Sequence, residues 1–396
     1  MNIKLKGSRL EAEIDKCRGE CNWQRLSELL PTIRSKSSGL EHLASLIDGE
    51  LLLENFLEQE KDACFPKESY YDFLRGAETL LQNAISTNKD ENVILMEAYI
   101  LISKLHFFCA KFYAALQDIE ASRIDAAKTQ FITLRSLKLA AECYAIKGCS
   151  LEATYQKQNK KGADIMKRVI VCFETSVELT ISYVTELQKT INSKSSQLLE
   201  TALERAPYLS LRKSVNERRW DVEGVECYRR IMTELSDKFM VEHVQQQLCR
   251  QLAEVLIRGM LDSDYDSRAI NLKSKSLSFY TGSNTNYFAP KSRFEEVILL
   301  LLISEIIAAQ AAKARRYQHH HHYHPPQLLQ QVEQNSPHDA ARVSAVGAHD
   351  AHMHNLKMVH NLLVFALFVK SYAAFLAHLS CSAVAKSTSR RGICIQ

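Results

Sequence analysis

The chain is poor in the residues that end helices and shape tight loops. Its 396 residues include only 12 glycines and 7 prolines, below the average usage of about 7% and 5%. Helix interiors tolerate neither residue well, so their scarcity favours a mainly helical fold. Long alternating runs of apolar and polar residues are also absent, and no spacing typical of a βαβ unit occurs, which argues against a sheet-based fold.

Motifs that carry enzyme chemistry are missing as well. The sequence has no glycine-rich phosphate loop, no HExxH, no GxSxG and no paired CxxC spacing. Before residue 317 only His42, His106 and His243 occur, and they stand too far apart to suggest a triad. Carboxylates fall on predicted helix faces beside lysines and arginines, where we expect them to be solvated. We therefore predict a protein that is no enzyme, with no catalytic residue, cofactor or metal site.

The net charge and the positions of the cysteines further limit the class of protein to which this chain can belong. A formal charge of +4 is too small to argue for a nucleic-acid partner. Most of the eleven cysteines lie at apolar helix positions, such as Cys109, Cys143 and Cys172, where a reduced thiol behaves as a small hydrophobic group. Cys17 and Cys21 could share a metal ion by their spacing, but no second pair follows, and structural thiols are the interpretation we prefer. With no apolar segment at the start of the chain, we expect a cytoplasmic protein.

Residues 92–122 carry the pattern that the rest of the chain repeats. The first half is apolar nearly all round, from Val93 to Phe108, so it must be covered on more than one side. In the second half Phe112, Ala115 and Ile119 form one stripe, and the small Ala115 allows close approach of two helices. This combination is typical of a tetratricopeptide hairpin. An ordinary helical core would give one such copy equally well.

Further copies favour a repeat protein over an ordinary core. Similar spacing of small and large residues returns at Val169, Phe173 and Ser176, and again at Gly224, Tyr228 and Ile231. The run AAECYAIKG, residues 140–148, has the small, aromatic and glycine order expected where a first helix ends. We predict an all-α fold, an α-solenoid of degenerate tetratricopeptide-like hairpins over residues 1–316. The copies are separated by unequal insertions, so no fixed period is predicted.

The expected helices begin at Ser8, with a capping box to Glu11, and at Trp23 after a break at Asn22. The others are predicted at 40–57, 70–85, 92–122 as a pair, 131–147, 165–187, 197–211, 241–260 and 297–314. The helix over 70–85 is expected to bury Phe73, Leu74, Ala77, Leu80 and Leu81. Residues 261–292 are expected to form an irregular loop, since Ser267 and Lys273 spoil the resemblance of Asp262, Asp264 and Asp266 to a calcium loop.

A family resemblance adds to this picture. The runs GSRLEAEIDKCRGECNW at 7–23, DGELLLENFL at 48–57, RQLAEVLIRGM at 250–260 and EEVILLLLISE at 295–305 occur in order. In these runs the chain resembles the amino-terminal part of the tetratricopeptide repeat protein 7 family, metazoan relatives of the yeast Ypp scaffold. The resemblance covers residues 7–308.

That resemblance implies a non-catalytic scaffold that holds type III alpha phosphatidylinositol 4-kinase at the plasma membrane, where the kinase makes phosphatidylinositol 4-phosphate. It implies two further partners, a palmitoylated membrane anchor of the Efr type and hyccin. Hyccin is expected to dock on carboxy-terminal repeats that this chain lacks, so we predict that hyccin binding is weak or lost. No individual contact residue can be carried over from the family.

After Arg316 the composition changes abruptly. Eleven of the fourteen histidines lie between residues 319 and 378, and 317–360 is a His- and Gln-rich, low-complexity linker. Residues 361–396 are predicted to form an apolar helix followed by a basic tail. This part does not resemble the family, as expected of a truncated isoform or an altered reading frame. Such a product could be inert or interfering, or it could be a membrane-inserted adaptor anchored through residues 361–379, although Lys370 at the centre opposes insertion.

Overall fold

In the computed structural model, the described residues are 8–35, 40–60, 66–88, 92–126, 131–158, 163–187, 196–211, 222–235, 242–258, 265, 290 and 292–321. Every regular element among them is a helix. The helices are α1 (Ser8–Gly19), α2 (Trp23–Ile33), α3 (Ala44–Gln59), α4 (Tyr71–Thr87), α5 (Asn92–Phe108), α6 (Phe112–Ser122), α7 (Leu134–Gln158), α8 (Ala163–Leu187), α9 (Gln197–Leu211), α10 (Val222–Glu234), α11 (Glu242–Arg258) and α12 (Arg293–His321).

One compact unit, within residues 1–213, contains α1 to α9. Consecutive helices pack against each other in this unit, and α7 also packs against α1, α5 and α9. Tight turns join the helices of a pair, as between α1 and α2. Cys21 has a left-handed backbone (φ 57°), and the side chain of Asn22 accepts a hydrogen bond from Arg25 N at 3.1 Å, which caps the start of α2. The predicted break at Asn22 is confirmed.

The other compact unit contains α10, α11 and α12. Its core is apolar and is formed by residues such as Val225, Ile231, Leu248, Leu252 and Leu301, all of which are buried. The hydroxyl of Tyr228 donates a hydrogen bond to Gln251 Oε1 at 3.0 Å and so links α10 to α11. The predicted repeat positions are buried, in agreement with the hairpin pattern. They are Gly224 and Tyr228 in this unit and Val169, Phe173 and Ser176 in the first unit.

Gly148 does not end a helix, so that expectation was wrong. It lies well inside α7, which runs on to Gln158. A Cβ atom at this position would stand 3.0 Å from the ring of Phe173 in α8, closer than ordinary contact allows. The missing side chain therefore makes room for an aromatic ring between two long helices, and the order of residue types was read correctly but given the wrong role.

The helix over 293–321 is longer than predicted at both ends. Its carboxy-terminal extension is RRYQHHH at 315–321, in which the arginines and the glutamine are good helix formers. The prediction that this helix is buried holds for one face only, because Leu302 and Ile306 are exposed. None of the helices in the described parts of the chain is long and apolar enough to cross a bilayer.

The all-α, tetratricopeptide-like solenoid predicted from the sequence is confirmed as the fold class. Three other expectations lie outside the described residues. They are most of the loop over 261–292, most of the low-complexity linker predicted over 317–360, and the apolar segment and basic tail over 361–396. Residues 317–321 of that predicted linker are described, and they belong to α12. The domain boundary after residue 316 stays a prediction.

Candidate interaction site

A network of buried charges joins four helices of the first unit. Glu50 of α3 is fully buried, and its Oε2 accepts a hydrogen bond from Arg18 Nε of α1 at 2.6 Å. Arg18 also pairs with Glu97 of α5. Arg135 Nη2 of α7 lies 2.5 Å from Glu50 Oε1, close enough for an ion pair but not aligned as a hydrogen bond. Such a cluster fixes the positions of the helices, since each charge needs its partner in the interior.

A second cluster continues the network along the same helices. Lys104 Nζ of α5 donates hydrogen bonds to Glu54 Oε1 at 2.5 Å and to Glu142 Oε2 at 2.9 Å. Lys138 Nζ lies 3.7 Å from the other oxygen of Glu142 and 5.1 Å from the centre of the Trp23 ring. These side chains border a cavity of about 320 Å³.

The charges of this cluster stabilise the fold and are not set for proton transfer. Burial raises the pKa of the Glu142 carboxyl, but the charges of Lys104 and Lys138 outweigh burial and lower that pKa to about 2. Burial lowers the pKa of Lys104, and the charges of Glu142 and Glu54 more than reverse it. Glu142 and Lys104 are therefore charged at neutral pH, and neither is held in the form that a general acid or base would need to exchange protons.

The expectation that carboxylates are solvated was wrong for these positions. Glu50, Glu54 and Glu142 are buried, as is Glu296 of α12, which accepts hydrogen bonds from Arg229 at 2.9 and 2.7 Å. Sequence spacing shows which helix face a residue shares, but each of these carboxylates has a partner on another helix. Arg18 and Glu97, for example, are 79 positions apart.

His106 also has partners that its isolated position in the sequence did not suggest. Its Nδ1 lies 2.6 Å from Asp118 Oδ2 of α6, and its Nε2 lies 3.1 Å from Glu78 Oε1 of α4. Burial lowers the pKa of the imidazole, but the hydrogen bonds and charges of Asp118 and Glu78 outweigh burial and raise it. His106 therefore ties three helices together most strongly when it is protonated.

This geometry predicts a pH dependence of stability. Because the folded-state pKa lies above the ordinary 6.5, the stabilisation is complete below pH 6.5 and is lost as the pH rises through the folded value. We expect His106→Gln to reduce the free energy of unfolding by about 1 to 2 kcal/mol at acidic pH, and by less at alkaline pH. Urea titrations from pH 6 to 9 measure the difference.

An exposed histidine supplies the control for this experiment. His243→Gln, on an exposed position of α11, should leave the stability unchanged across the same pH range. A constant deficit in His106→Gln at every pH would contradict the role assigned to the protonated ring, since simple loss of packing does not titrate.

The remaining candidates from the sequence have structural positions. Cys109, Cys143 and Cys172 are buried as predicted, and burial raises the pKa of the Cys109 thiol to about 11, which keeps it protonated and unreactive. Within the described residues, no group of three or more His, Cys, Asp or Glu side chains is arranged to hold a metal ion. Cys17 and Cys21 are free thiols.

Exposed apolar side chains form a surface on the hairpin of α3 and α4. We define the α3–α4 patch as Leu52, Phe56 and Phe73. The rings of Phe56 and Phe73 stack with centroids 5.7 Å apart, and Leu52 lies beside the exposed Gly76. Leu52 is 50% exposed and Phe73 72% exposed. Large apolar side chains grouped in this way mark interaction surfaces more often than isolated ones do.

The two faces of α3 explain why the patch is held in place. Glu50 and Glu54, one turn apart, point into the buried charge network. Leu52 and Phe56, also one turn apart, lie on the opposite face. At Gly49 the helices come so close that a Cβ atom would meet the Leu81 side chain at 2.7 Å. The patch therefore sits on a hairpin that is fixed from behind by charges and from the side by close packing.

Sequence reasoning missed this patch because it placed Phe73 in the buried stripe of its helix. In the structure the buried stripe is Leu74, Ala77, Leu81 and Ala84, and Leu80 is half-buried. The spacing of those four residues is a complete helical stripe without Phe73, which is the signal that could have placed Phe73 outside. Leu52 gave no such signal, since it stands between two other leucines in LLLENFL.

Comparison with known proteins identifies the family. Residues 1–325 match the family described as "Tetratricopeptide repeat protein 7 N-terminal". Tetratricopeptide repeat protein 7B of Homo sapiens is 26% identical over 285 residues, which cover 67% of this chain and 33% of the relative. The 7B protein of Mus musculus is 26% identical over 338 residues, covering 75% and 39%.

A third relative, tetratricopeptide repeat protein 7A of Homo sapiens, is 25% identical over 341 residues, covering 73% of this chain and 39% of the relative. The chain thus spans between 33% and 39% of the length of these relatives. The family match covers most of the chain, and the paired helices agree with it. This chain belongs to the tetratricopeptide repeat protein 7 family.

Proposed function

We propose that this chain is a non-catalytic protein-interaction scaffold that helps to localise type III alpha phosphatidylinositol 4-kinase to the plasma membrane for phosphatidylinositol 4-phosphate synthesis. Membership of the family supports a scaffold or adaptor role. The family resemblance of the sequence is the reason for proposing this kinase as the partner. It is also the reason for proposing that the protein is cytoplasmic and reaches the membrane through its partners.

The α3–α4 patch is the observation that carries the proposal. A scaffold needs a rigid surface on which a partner can bury apolar side chains, and aromatic residues dominate the binding energy of such surfaces. Phe73 and Leu52 offer that surface, with the exposed Asp72 and Arg75 as a polar rim. The buried charges behind α3 hold the surface in one conformation, so little conformational entropy is lost when a partner binds.

Co-purification with three candidate partners tests the proposal. The full chain is expressed with the kinase, with the palmitoylated Efr-type anchor and with hyccin in one assay. We expect recovery of the kinase or the anchor. We expect little or no hyccin, because the resemblance implies that hyccin docks on carboxy-terminal repeats, outside the part of the relatives that this chain matches. Hyccin recovery at the strength of a full-length relative would overturn that expectation. Recovery of neither the kinase nor the anchor would contradict the proposal and would indicate that this chain is inert or interferes with assembly.

The patch makes a specific prediction for this assay. Leu52→Ser and Phe73→Ser together should weaken binding of the recovered partner by about 30-fold or more, since central aromatic contacts contribute about 2 kcal/mol or more each. Both side chains are at least half exposed, so the helix content should not change. Titration of labelled partner against the purified chain measures the loss.

Val171→Ser provides a matched control, since Val171 is 58% exposed on α8 and lies outside the α3–α4 patch. It should bind the partner with unchanged affinity. Equal losses in the control and in the patch variant would show that the effect comes from general surface polarity, and the α3–α4 patch would then have no specific role.

A further inference from the structure

The cavity beside the second charge cluster is lined by a buried ammonium group whose hydrogen bonds are not used. Lys138 of α7 is 1% exposed. Its Nζ lies 3.7 Å from Glu142 Oε1 and 5.1 Å from the centre of the Trp23 ring, and both of these residues also line the cavity. Among the described residues, no acceptor lies within hydrogen-bond distance of this Nζ. An ammonium group has three donors, so a buried one normally has acceptors around it.

The acceptor opposite Lys138 is also unsatisfied. Lys104 donates to Glu142 Oε2 at 2.9 Å, but the other oxygen, Glu142 Oε1, is buried and has no hydrogen-bond partner in the described parts of the chain. Ser196 is near enough to help lower the pKa of Glu142, yet its hydroxyl does not reach Oε1. The cavity therefore presents one free donor and one free acceptor side by side, 3.7 Å apart.

The buried charges around the cavity already balance. Lys104 and Lys138 face Glu54 and Glu142, and all four side chains are buried. Burial lowers the pKa of Lys138, but the acidic groups around it, Glu142 first, outweigh burial and raise that pKa. An anion in the cavity would stand beside Glu142, and a cation would stand beside Lys138. Either would add a buried charge without a counter-charge, so a neutral ligand fits best.

The size and walls of the cavity indicate what else the ligand carries. Its volume of about 320 Å³ is about twice that of a cavity of about 150 Å³ that binds benzene. Trp23, Phe108 and Leu198 supply buried apolar walls. The lining also includes Glu58 at the end of α3 and Gln197 at the start of α9, both of which are exposed. The cavity therefore opens to solvent between these two helix ends.

We propose that this cavity binds a small neutral molecule that carries a primary carboxamide on an aromatic or apolar body. A carboxamide has an acceptor and a donor next to each other. Its oxygen accepts a hydrogen bond from Lys138 Nζ, and its nitrogen donates one to Glu142 Oε1. The body of the ligand packs against Trp23 and Phe108. This inference goes beyond the proposed scaffold role and does not rest on it.

Four probes of similar size test the chemistry of the site on the full chain. Benzamide offers both a donor and an acceptor, acetophenone offers only an acceptor, benzoate is an anion and benzamidine is a cation. In a Trp220→Phe background the indole N–H resonance of Trp23 reports binding, since Trp23 is then the single tryptophan. We expect benzamide to bind about tenfold more tightly than each of the other three, because each of them leaves a buried group unpaired or adds a charge. No shift at millimolar benzamide, or equal binding of any other probe, would overturn the proposal.

Lys138→Met tests the assigned donor. It should weaken benzamide binding about tenfold and strengthen benzamidine binding, because the site then has an excess negative charge. A variant that had merely unfolded would bind neither probe, so the gain for benzamidine separates the two explanations. A folded Lys138→Met variant without that gain would overturn the proposal.

A steric variant tests the location and decides alone if Lys138→Met does not fold. Leu57 is a half-buried lining residue, and Leu57→Tyr places a ring in the cavity while the charges remain. It should abolish benzamide binding. Val171→Tyr, on the exposed surface of α8, is the matched control and should leave the affinity unchanged. Benzamide binding that survives Leu57→Tyr would overturn the assignment to this cavity.

Discussion

Glu50→Gln should be among the most destabilising single substitutions in this protein, with a loss of about 3 to 5 kcal/mol in the free energy of unfolding. The substitution keeps the shape of the side chain but removes the charge that pairs with Arg18 and Arg135. Arg18 retains Glu97. Arg135 loses the one carboxylate that lies within ion-pair distance of it in the described residues, and a buried guanidinium without a counter-charge is strongly disfavoured.

Tryptophan fluorescence gives a local measurement of this effect. The chain has two tryptophans, and in a Trp220→Phe background the buried Trp23 reports on urea unfolding of the first unit alone. Glu28→Gln is the matched control, because Glu28 pairs with Arg25 at 2.8 Å on the exposed surface and its loss should cost less than about 1 kcal/mol.

A double variant separates charge from packing. Replacing Arg135 with Met in the Glu50→Gln background removes the stranded charge as well, and apolar replacements of buried ion pairs are often neutral or stabilising. We expect part of the lost stability to return. If the double variant is less stable than Glu50→Gln alone, the penalty does not come from an unpaired guanidinium, and the account given for the network is wrong.

Phe173→Ala should cost about 3 to 5 kcal/mol, by a different mechanism. Phe173 is fully buried between α7 and α8, and its ring occupies the space left by Gly148. Removal of the ring leaves a cavity beside a glycine, which has no side chain to fill it. The helices on either side are long and packed along their lengths, so they cannot easily close the gap.

The control for this substitution lies on the same helix. Val171→Ala, two residues earlier and 58% exposed, should change the stability by less than about 0.5 kcal/mol. A partial rescue is also expected from Gly148→Ala in the Phe173→Ala background, since the added methyl group enters the cavity, whereas Gly148→Ala alone should destabilise the protein through contact with the ring. The same urea titrations measure all four proteins, and additive effects of the two substitutions would contradict direct packing.

The buried charges and the exposed patch lie on opposite faces of α3, and we assign a different role to each face. On one face of α3, Glu50 and Glu54 hold the helices of the first unit together. On the other face, Leu52 and Phe56 form part of the α3–α4 patch. The stability predictions concern the first face, and the binding prediction concerns the second. A variant that loses stability without losing affinity per folded molecule, or the reverse, would show that the two faces act separately.

The positions of the helices and much of the core follow from local patterns in the sequence. Helix formation depends on neighbouring residues, so low glycine and proline content, apolar stripes and the break at Asn22 were sufficient to place α2, α6 and α9 closely. The buried thiols and the repeated spacing at Phe173 and Tyr228 were also predictable, because a helix that repeats such a stripe must bury it against a neighbour.

Which charges are buried and which apolar residues are exposed depends on how the helices pack together. A glutamate on a helix face is solvated unless a distant helix brings a cation to it, and the partners of Glu50 come from α1 and α7. Likewise, Gly148 became a packing site only because Phe173 approaches it, and Phe73 is exposed because α3 covers the neighbouring stripe instead. These outcomes depend on contacts between residues far apart in the chain, and a local pattern contains no information about them.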